Sequence, residues 1–197
     1  MTLPLFPLHT VLFPGCVLDL QIFEARYLDM VSRCMKQGEG FGVVCIVEGD
    51  EVGDAVERIA QTGCEALITD FQQRPNGLLG IRVQGGRRFN VKQAQVLPDK
   101  LTLEHVEWLE EQPQRSLEEE HADLLALLGA LAEHPMVASL DMGGGADSQA
   151  ELADKLAYLL PFSAEQKIGL LAEPDAAQRL VMLQELVEQL QSDGAAQ

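Results

Sequence analysis

Positive charge is scarce in this chain: 14 lysines and arginines stand against 31 aspartates and glutamates over 197 residues, for a formal net charge of -17. The deficit is uneven, with 10 basic and 15 acidic side chains in residues 1–110 but 4 and 16 in residues 111–197. Such a surface repels nucleic-acid phosphates and anionic lipid, so either partner needs a local basic patch. Long apolar runs are missing too. None approaches the roughly eighteen residues that a membrane helix requires, and no basic region precedes the first apolar segment, so neither a membrane span nor a signal peptide is expected. The expected location is the cytoplasm. Cysteine is limited to Cys16, Cys34, Cys45 and Cys64, far apart, one in a strand-like apolar run and one on the apolar face of a helix, which reads as small hydrophobes kept reduced. His9, His105, His121 and His134 form no pair with them at ligand spacing, so no metal or cofactor is expected. No glycine is followed by lysine and no Gly-x-Ser-x-Gly is present, which excludes a phosphate-cradling loop and a nucleophile elbow. No catalytic residue is assigned.

What is there begins at residues 3–36. Pro4, Pro7 and Pro14 fix backbone angles and remove ladder donors, so Leu3 to Leu8 and Val11 to Phe13 are expected as edge strands or extended connectors, with a turn at Pro14-Gly15. From Tyr27 the period changes. Tyr27, Met30, Val31, Cys34 and Met35 recur at helical spacing, Arg26, Asp29, Arg33 and Lys36 fall opposite, and Gly38 closes the helix. Phe6, Phe13, Phe23 and Tyr27 are expected in the core, because aromatics dominate buried area. Glu24 and Arg26 are expected to brace the helix start.

The succession Leu-Phe-Pro-Leu, Leu-Phe-Pro-Gly and Ile-Phe-Glu-Ala-Arg-Tyr resembles the N-terminal substrate-binding domain of Lon-type ATP-dependent proteases. Val-Gln-Gly-Gly-Arg-Arg-Phe-Asn-Val resembles the corresponding hairpin of that family, and Leu-Leu-Ala-Glu-Pro-Asp its helical half. The resemblance implies a PUA-like β-barrel with an embedded helix, followed by a C-terminal α-helical bundle, an α+β fold used to engage protein substrates. Phe13, Pro14, Phe23, Glu24, Arg26 and Tyr27 carry the family motif and are expected to be structural. Full-length Lon proteases add an ATPase and a Ser-Lys peptidase module; this chain has neither, so it reads as a stand-alone, non-enzymatic counterpart.

Downstream, Phe41 to Val47 is a continuous apolar run suited to a strand buried on both faces, Glu48 to Asp54 an acidic loop, and Val56 to Thr62 a short strand or connector. Cys64 to Gln72, Leu78 to Gln84 and Phe89 to Gln95 form a meander if three-residue turns fall at Pro75-Asn76-Gly77 and Gly85-Gly86-Arg87, each turn using a glycine at positive φ. Arg82, Arg87, Arg88 and Lys92 then form the one basic patch and the candidate binding patch. Leu101 to Trp108 closes the sheet. Glu110 to Arg115 is the linker between a domain of residues 1–112 and a helical domain of residues 113–197. Ser116 with Glu119 caps the first helix of the second domain, whose Leu124, Leu127, Leu128 and Leu131 share a face. Pro135 to Ser148 is the most mobile loop. Helices follow from Ala150 to Leu160, from a Ser163/Gln166 capping box to Leu171, and from Pro174-Asp175 onward, with the tail from Ser192 disordered.

The function this implies is binding of exposed apolar segments of client proteins, as an adaptor or regulator linked to proteolysis. The site is expected in a cleft between barrel and helices. Unfolded polypeptides and a Lon protease are the expected partners, and no membrane. The alternative is an RNA-binding PUA-like module working through the arginine patch, disfavoured by the net charge.

Overall fold

The structure is a computed structural model that describes residues 1–51, 56–96, 100–111 and 113–195. It divides into two compact units, Met1–Leu109 and Glu110–Gln197. Gln112, where the sequence sets its boundary, lies outside the described residues.

The first unit is a sheet of β1 (Thr2–Leu8), β2 (Val17–Ile22), β3 (Phe41–Gly49), β4 (Val56–Ile59), β5 (Thr62–Gln73), β6 (Leu79–Val96) and β7 (Thr102–Trp108), with α1 (Ala25–Gln37) between β2 and β3. The strands run in the order β1-β7-β6-β5-β3-β4, β2 pairs β6, and β1 also pairs β3, so the pairings lead from β1 around to β1 again. The prolines of β1 do not confine it to an edge. Residues 2–4 pair antiparallel with β7 and residues 5–8 pair parallel with β3, so the strand changes partner midway and lies between two neighbours. Val11 to Phe13 is a connector, as its prolines imply.

The apolar run of β3 is buried from Phe41 through Ile46. Leu3, Leu5, Val44, Phe89 and Val106 form one cluster of this core. Helix α1 buries Tyr27, Met30, Val31 and Cys34, and Gly38 ends it in the left-handed conformation with its N–H on the Cys34 carbonyl. Met35, expected inward, is exposed. At about 1.5–3 kcal/mol for each large buried side chain, this face stabilises the helix without a side-chain N-cap. The Glu24 side chain makes no cap hydrogen bond, because it accepts from Arg26 Nε at 3.1 Å instead.

The meander has one turn, not two. Arg74 to Leu78 reverses the chain with Gly77 at φ +80°, as its sequence implies. At Gly85-Gly86-Arg87 there is no turn and no positive φ; β6 runs straight through. The glycine answers a close approach. A Cβ at Gly85 would lie 2.0 Å from the Phe13 carbonyl oxygen. Across that contact Gly15 N–H donates to Gly85 O and Gly85 N–H to Cys16 O, each at 2.8 Å.

The second unit holds a 3-10 turn, Glu119–His121, followed by α2 (Ala122–Ala132), α3 (Pro135–Ala138), α4 (Gln149–Leu159), α5 (Ala164–Ala172) and α6 (Ala176–Ala195). Leu124, Leu128, Leu152, Leu156, Leu170, Leu171, Leu180 and Leu183 are buried. Ser163 and Gln166 form the expected reciprocal cap of α5. The first cap is shifted: Glu118 and His121 form it, with Glu118 N–H donating to His121 Nδ1 at 3.0 Å, and not Ser116 with Glu119. Histidine can close a cap because its neutral ring nitrogen accepts a hydrogen bond. Pro135 to Ser148 is also more ordered than its glycines suggest. It contains α3, and the buried Lys155 ammonium donates to Met142 O at 2.9 Å and Gly145 O at 2.8 Å while pairing with Glu151 at 2.8 Å. An ion pair between Asp154 and Arg179 joins α4 to α6. The tail is not disordered from Ser192, since α6 continues through Ala195 and Ser192 Oγ donates to Glu188 O at 2.9 Å. Among the described residues no helix is long and apolar enough to cross a membrane.

Candidate functional site

Strand length creates the site. β5 pairs β3 only as far as Ala66, opposite Phe41, yet it continues to Gln73. From there on, its described strand partner is β6, and β6 in turn carries β2 on its far side. The result is a three-stranded arm, β2-β6-β5, that extends past the rest of the sheet. Residues in register across it share a face: Leu20, Ile81 and Phe71 form one row and Leu18, Val83 and Ile68 another. Ile22, Ile81 and Val83 are buried, Leu18, Leu20, Ile68 and Leu79 half-buried, and Phe71 is 58% exposed. The apolar face is thus covered along β6 and at Ile22 and open on the β5 side, at Phe71.

The opposite face is polar. Asp19 takes two hydrogen bonds from Arg82, at 2.7 and 2.9 Å, and this contact outweighs burial to hold its carboxyl below the usual range. Gly80 supplies no side chain there, leaving a shallow hollow lined by Asp19, Gln21, Asp70, Gln72, Arg74 and Arg82.

A deeper groove of about 210 Å³ lies where β2 faces the end of β1 and the start of α1. Phe6, Leu20, Ile22 and Tyr27 give it apolar walls; Glu24 and Glu51 add carboxylates; Asp19 borders it with its own carboxylate held by Arg82 on the polar face; Phe23 stands at it 56% exposed. Phe6 meets Tyr27 edge-on with ring centroids 4.2 Å apart, and Arg26 lies over the Tyr27 ring at 4.7 Å. Burial pushes the Tyr27 hydroxyl up; Arg26 opposes the rise, and the Glu24 and Glu51 carboxylates add to it. Glu24 pairs with Arg26 at 3.0 Å, whereas Glu51 accepts the His9 N–H at 2.6 Å and has no ion pair among the described residues.

The expected basic patch does not form as a free surface. Arg82 pairs with Asp19, Arg87 pairs with Glu65 at 3.4 Å and stacks on Trp108 at 3.9 Å, and Lys92 pairs with Glu107 at 2.6 Å. Arg88 is 6% exposed. Three of the cations meet an acid from another strand and the fourth, Arg88, is buried, so the four present no joint array to a phosphate backbone. Of the motif residues, Phe13 and Tyr27 are buried as expected, Pro14, Glu24 and Arg26 are half-buried, and Phe23 is a correction. Ile22 ends β2 pointing inward, and strand alternation turns the next side chain out.

Phe71 and Leu67, which is 41% exposed, were not legible as surface residues, and neither was the role of Glu51. The one available signal is that the strand-like stretch from Cys64 to Gln72 is longer than that from Phe41 to Val47. The four cysteines are buried thiols, and among the described residues none is in a disulfide and no group of His, Cys, Asp or Glu could hold a metal ion.

The profile of the ATP-dependent protease La (LON) substrate-binding domain matches residues 2–189. The crystal structure of a Lon N-terminal domain protein from Xanthomonas campestris superposes with a TM-score of 0.76 at 35% identity, covering 94% of this chain and 98% of that one. The N-terminal domain of a Mycobacterium avium complex Lon protease shares the fold at a TM-score of 0.59 and 19% identity, covering 93% of this chain and 96% of that one. The Lon protease of Flavobacterium johnsoniae is 25% identical over 134 residues, 68% of this chain but 16% of that protease. The chain thus spans about a sixth of the length of such a relative, and the substrate-binding domain profile accounts for nearly all of it.

Proposed function

Since the chain belongs to the Lon substrate-binding domain family, we propose that it binds exposed apolar segments of client polypeptides without cleaving them, as an adaptor or regulator linked to proteolysis. The observation that carries this reading is the incompletely covered apolar face of the β2-β6-β5 arm, where Phe71 is exposed in register with half-buried Leu20 and near half-buried Leu18, Ile68 and Leu79, and Phe23 is exposed just beyond the end of β2. A folded client hides the side chains that would cover such a surface, and an unfolded one presents them. β2 adds a second means of recognition, because it pairs with β6 alone among the described strands and an extended segment can lie along its other flank.

The cycle of pairings through β1 supports reading the first unit as a closed, PUA-like barrel from which the arm extends. The proposed setting is the cytoplasm, with a Lon protease as partner.

A reduced, denatured model protein and its native form are titrated against the chain at two salt concentrations, and product masses are checked for cleavage. Binding of the denatured form alone, with weak salt dependence and no products, is the expected result. Equal or absent binding of the two forms overturns the client reading, and cleavage products overturn its non-enzymatic part.

A further inference from the structure

We propose that the groove between β2, the end of β1 and the start of α1 receives a lysine or arginine side chain of an extended client segment. This rests on the client-binding reading and names the residue class that the groove selects. The volume, about 210 Å³, suits one long side chain and no folded element. The walls formed by Phe6, Leu20 and Tyr27 suit an aliphatic stem, and the carboxylates of Glu24 and Glu51 suit the cation at its end.

Charge decides between a basic and a purely apolar occupant. Arg82 occupies Asp19 and Arg26 occupies Glu24. Glu51 spends one oxygen on the His9 N–H and has no cationic partner among the described residues. The nearest arginine or lysine in sequence, Arg58, pairs with Glu48. The groove therefore holds one negative charge beyond its own cations, next to apolar walls that keep water from screening it fully. An apolar client side chain would leave that carboxylate facing a covered groove without a partner, whereas lysine or arginine satisfies it.

The test uses the full chain and two labelled peptides of alternating valine and threonine. One carries a central lysine flanked by phenylalanines, and the other has methionine in place of that lysine. Fluorescence anisotropy is expected to show the lysine peptide bound about fivefold more tightly, the span of a partly exposed ion pair, with the margin shrinking at high salt. Glu51→Gln keeps an acceptor for the His9 N–H and is expected to bring the two peptides together without weakening the methionine peptide. Glu185→Gln, on the acidic α6, is expected to change neither. Equal affinity of the two peptides for the wild-type chain overturns the inference while leaving client binding intact, and this comparison stands whatever Glu51→Gln does to folding. Retention of the margin in a folded Glu51→Gln chain also overturns it. If neither peptide nor a denatured protein binds, the client reading falls and the inference falls with it.

Discussion

Replacing Phe71 by serine separates recognition from folding, which few aromatic positions in this chain allow. The ring presents 58% of its surface. Taking about 200 Å² for a phenylalanine, a client can cover about 115 Å² of it. At about 25 cal/mol per Å² full coverage contributes ~3 kcal/mol, and half coverage ~1.5 kcal/mol. The smaller figure alone weakens a dissociation constant by about tenfold. Because the side chain is exposed, its loss should move folding stability by no more than about 0.5 kcal/mol. Phe23→Ser is an independent repeat at the groove. Phe13→Ala is the contrasting control, since a fully buried ring costs about 3–5 kcal/mol of stability when truncated. The assay is titration with a reduced, denatured protein, with thermal melting run on the same samples. If Phe71→Ser and Phe23→Ser remain folded and bind that client as the wild type does, the uncovered arm is not the recognition surface.

Four further outcomes follow from the geometry. Gly85→Ala should cost ~3 kcal/mol in urea unfolding, because its Cβ would meet the Phe13 carbonyl at 2.0 Å, whereas Gly80→Ala, with 3.4 Å to its nearest neighbours, should cost under about 1 kcal/mol; equal costs would deny the close approach. Lys155→Met strips Met142 O, Gly145 O and Glu151 of their donor and should lower stability by ~2–4 kcal/mol, with new protease cleavage between residues 141 and 147; unchanged cleavage there would show that the loop does not depend on Lys155. Burial pushes the Glu104 carboxyl up, so the folded chain holds that proton longer than the unfolded one, and stability from this group falls as pH rises from the unfolded toward the folded pKa. Glu104→Gln should therefore gain melting temperature over the wild type progressively across that window and level off above it, and a gap independent of pH would refute the assignment. Limited proteolysis of the wild type should cut within residues 110–115 before it cuts β5 or β6, and early cleavage inside residues 64–95 would contradict the division into units.

What the sequence conveys well is whatever a few neighbouring residues decide. Helix α1 and its Gly38 stop, the Ser163/Gln166 cap and the turn at Gly77 follow from local rules, and each is found where its residues imply. The failures arise where distant segments meet. Gly85-Gly86 carries the composition of a turn, yet its demand comes from Phe13, seventy residues earlier, pressing on the strand. Arg82, Arg87 and Lys92 look like a patch in sequence because their acids, Asp19, Glu65 and Glu107, sit on other strands. Phe23 looks like core because aromatics usually are, and only the inward-pointing Ile22 before it fixes the alternation that turns it out. The groove combines Phe6, Asp19, Tyr27 and Glu51 from four separate segments, so no spacing rule could have gathered them.

The change of partner along β1 bears on how the first unit reaches its native state. One half of the strand must find β3 across about 37 residues, from Leu5 to Gly42, and the other must find β7 across about 103, from Thr2 to His105. The second pairing joins nearly the two ends of the unit. Loop-closure entropy opposes so long a link until much else is in place, and topologies rich in such links fold slowly. The β5-β6 hairpin closes over a short turn and is free to form early. The segment that bears Phe71 thus acquires its shape while β1, first in the sequence, still waits for β7. In the interval this polypeptide exposes apolar strands of the kind it is proposed to recognise, which makes its own unfinished copies potential competitors for the arm.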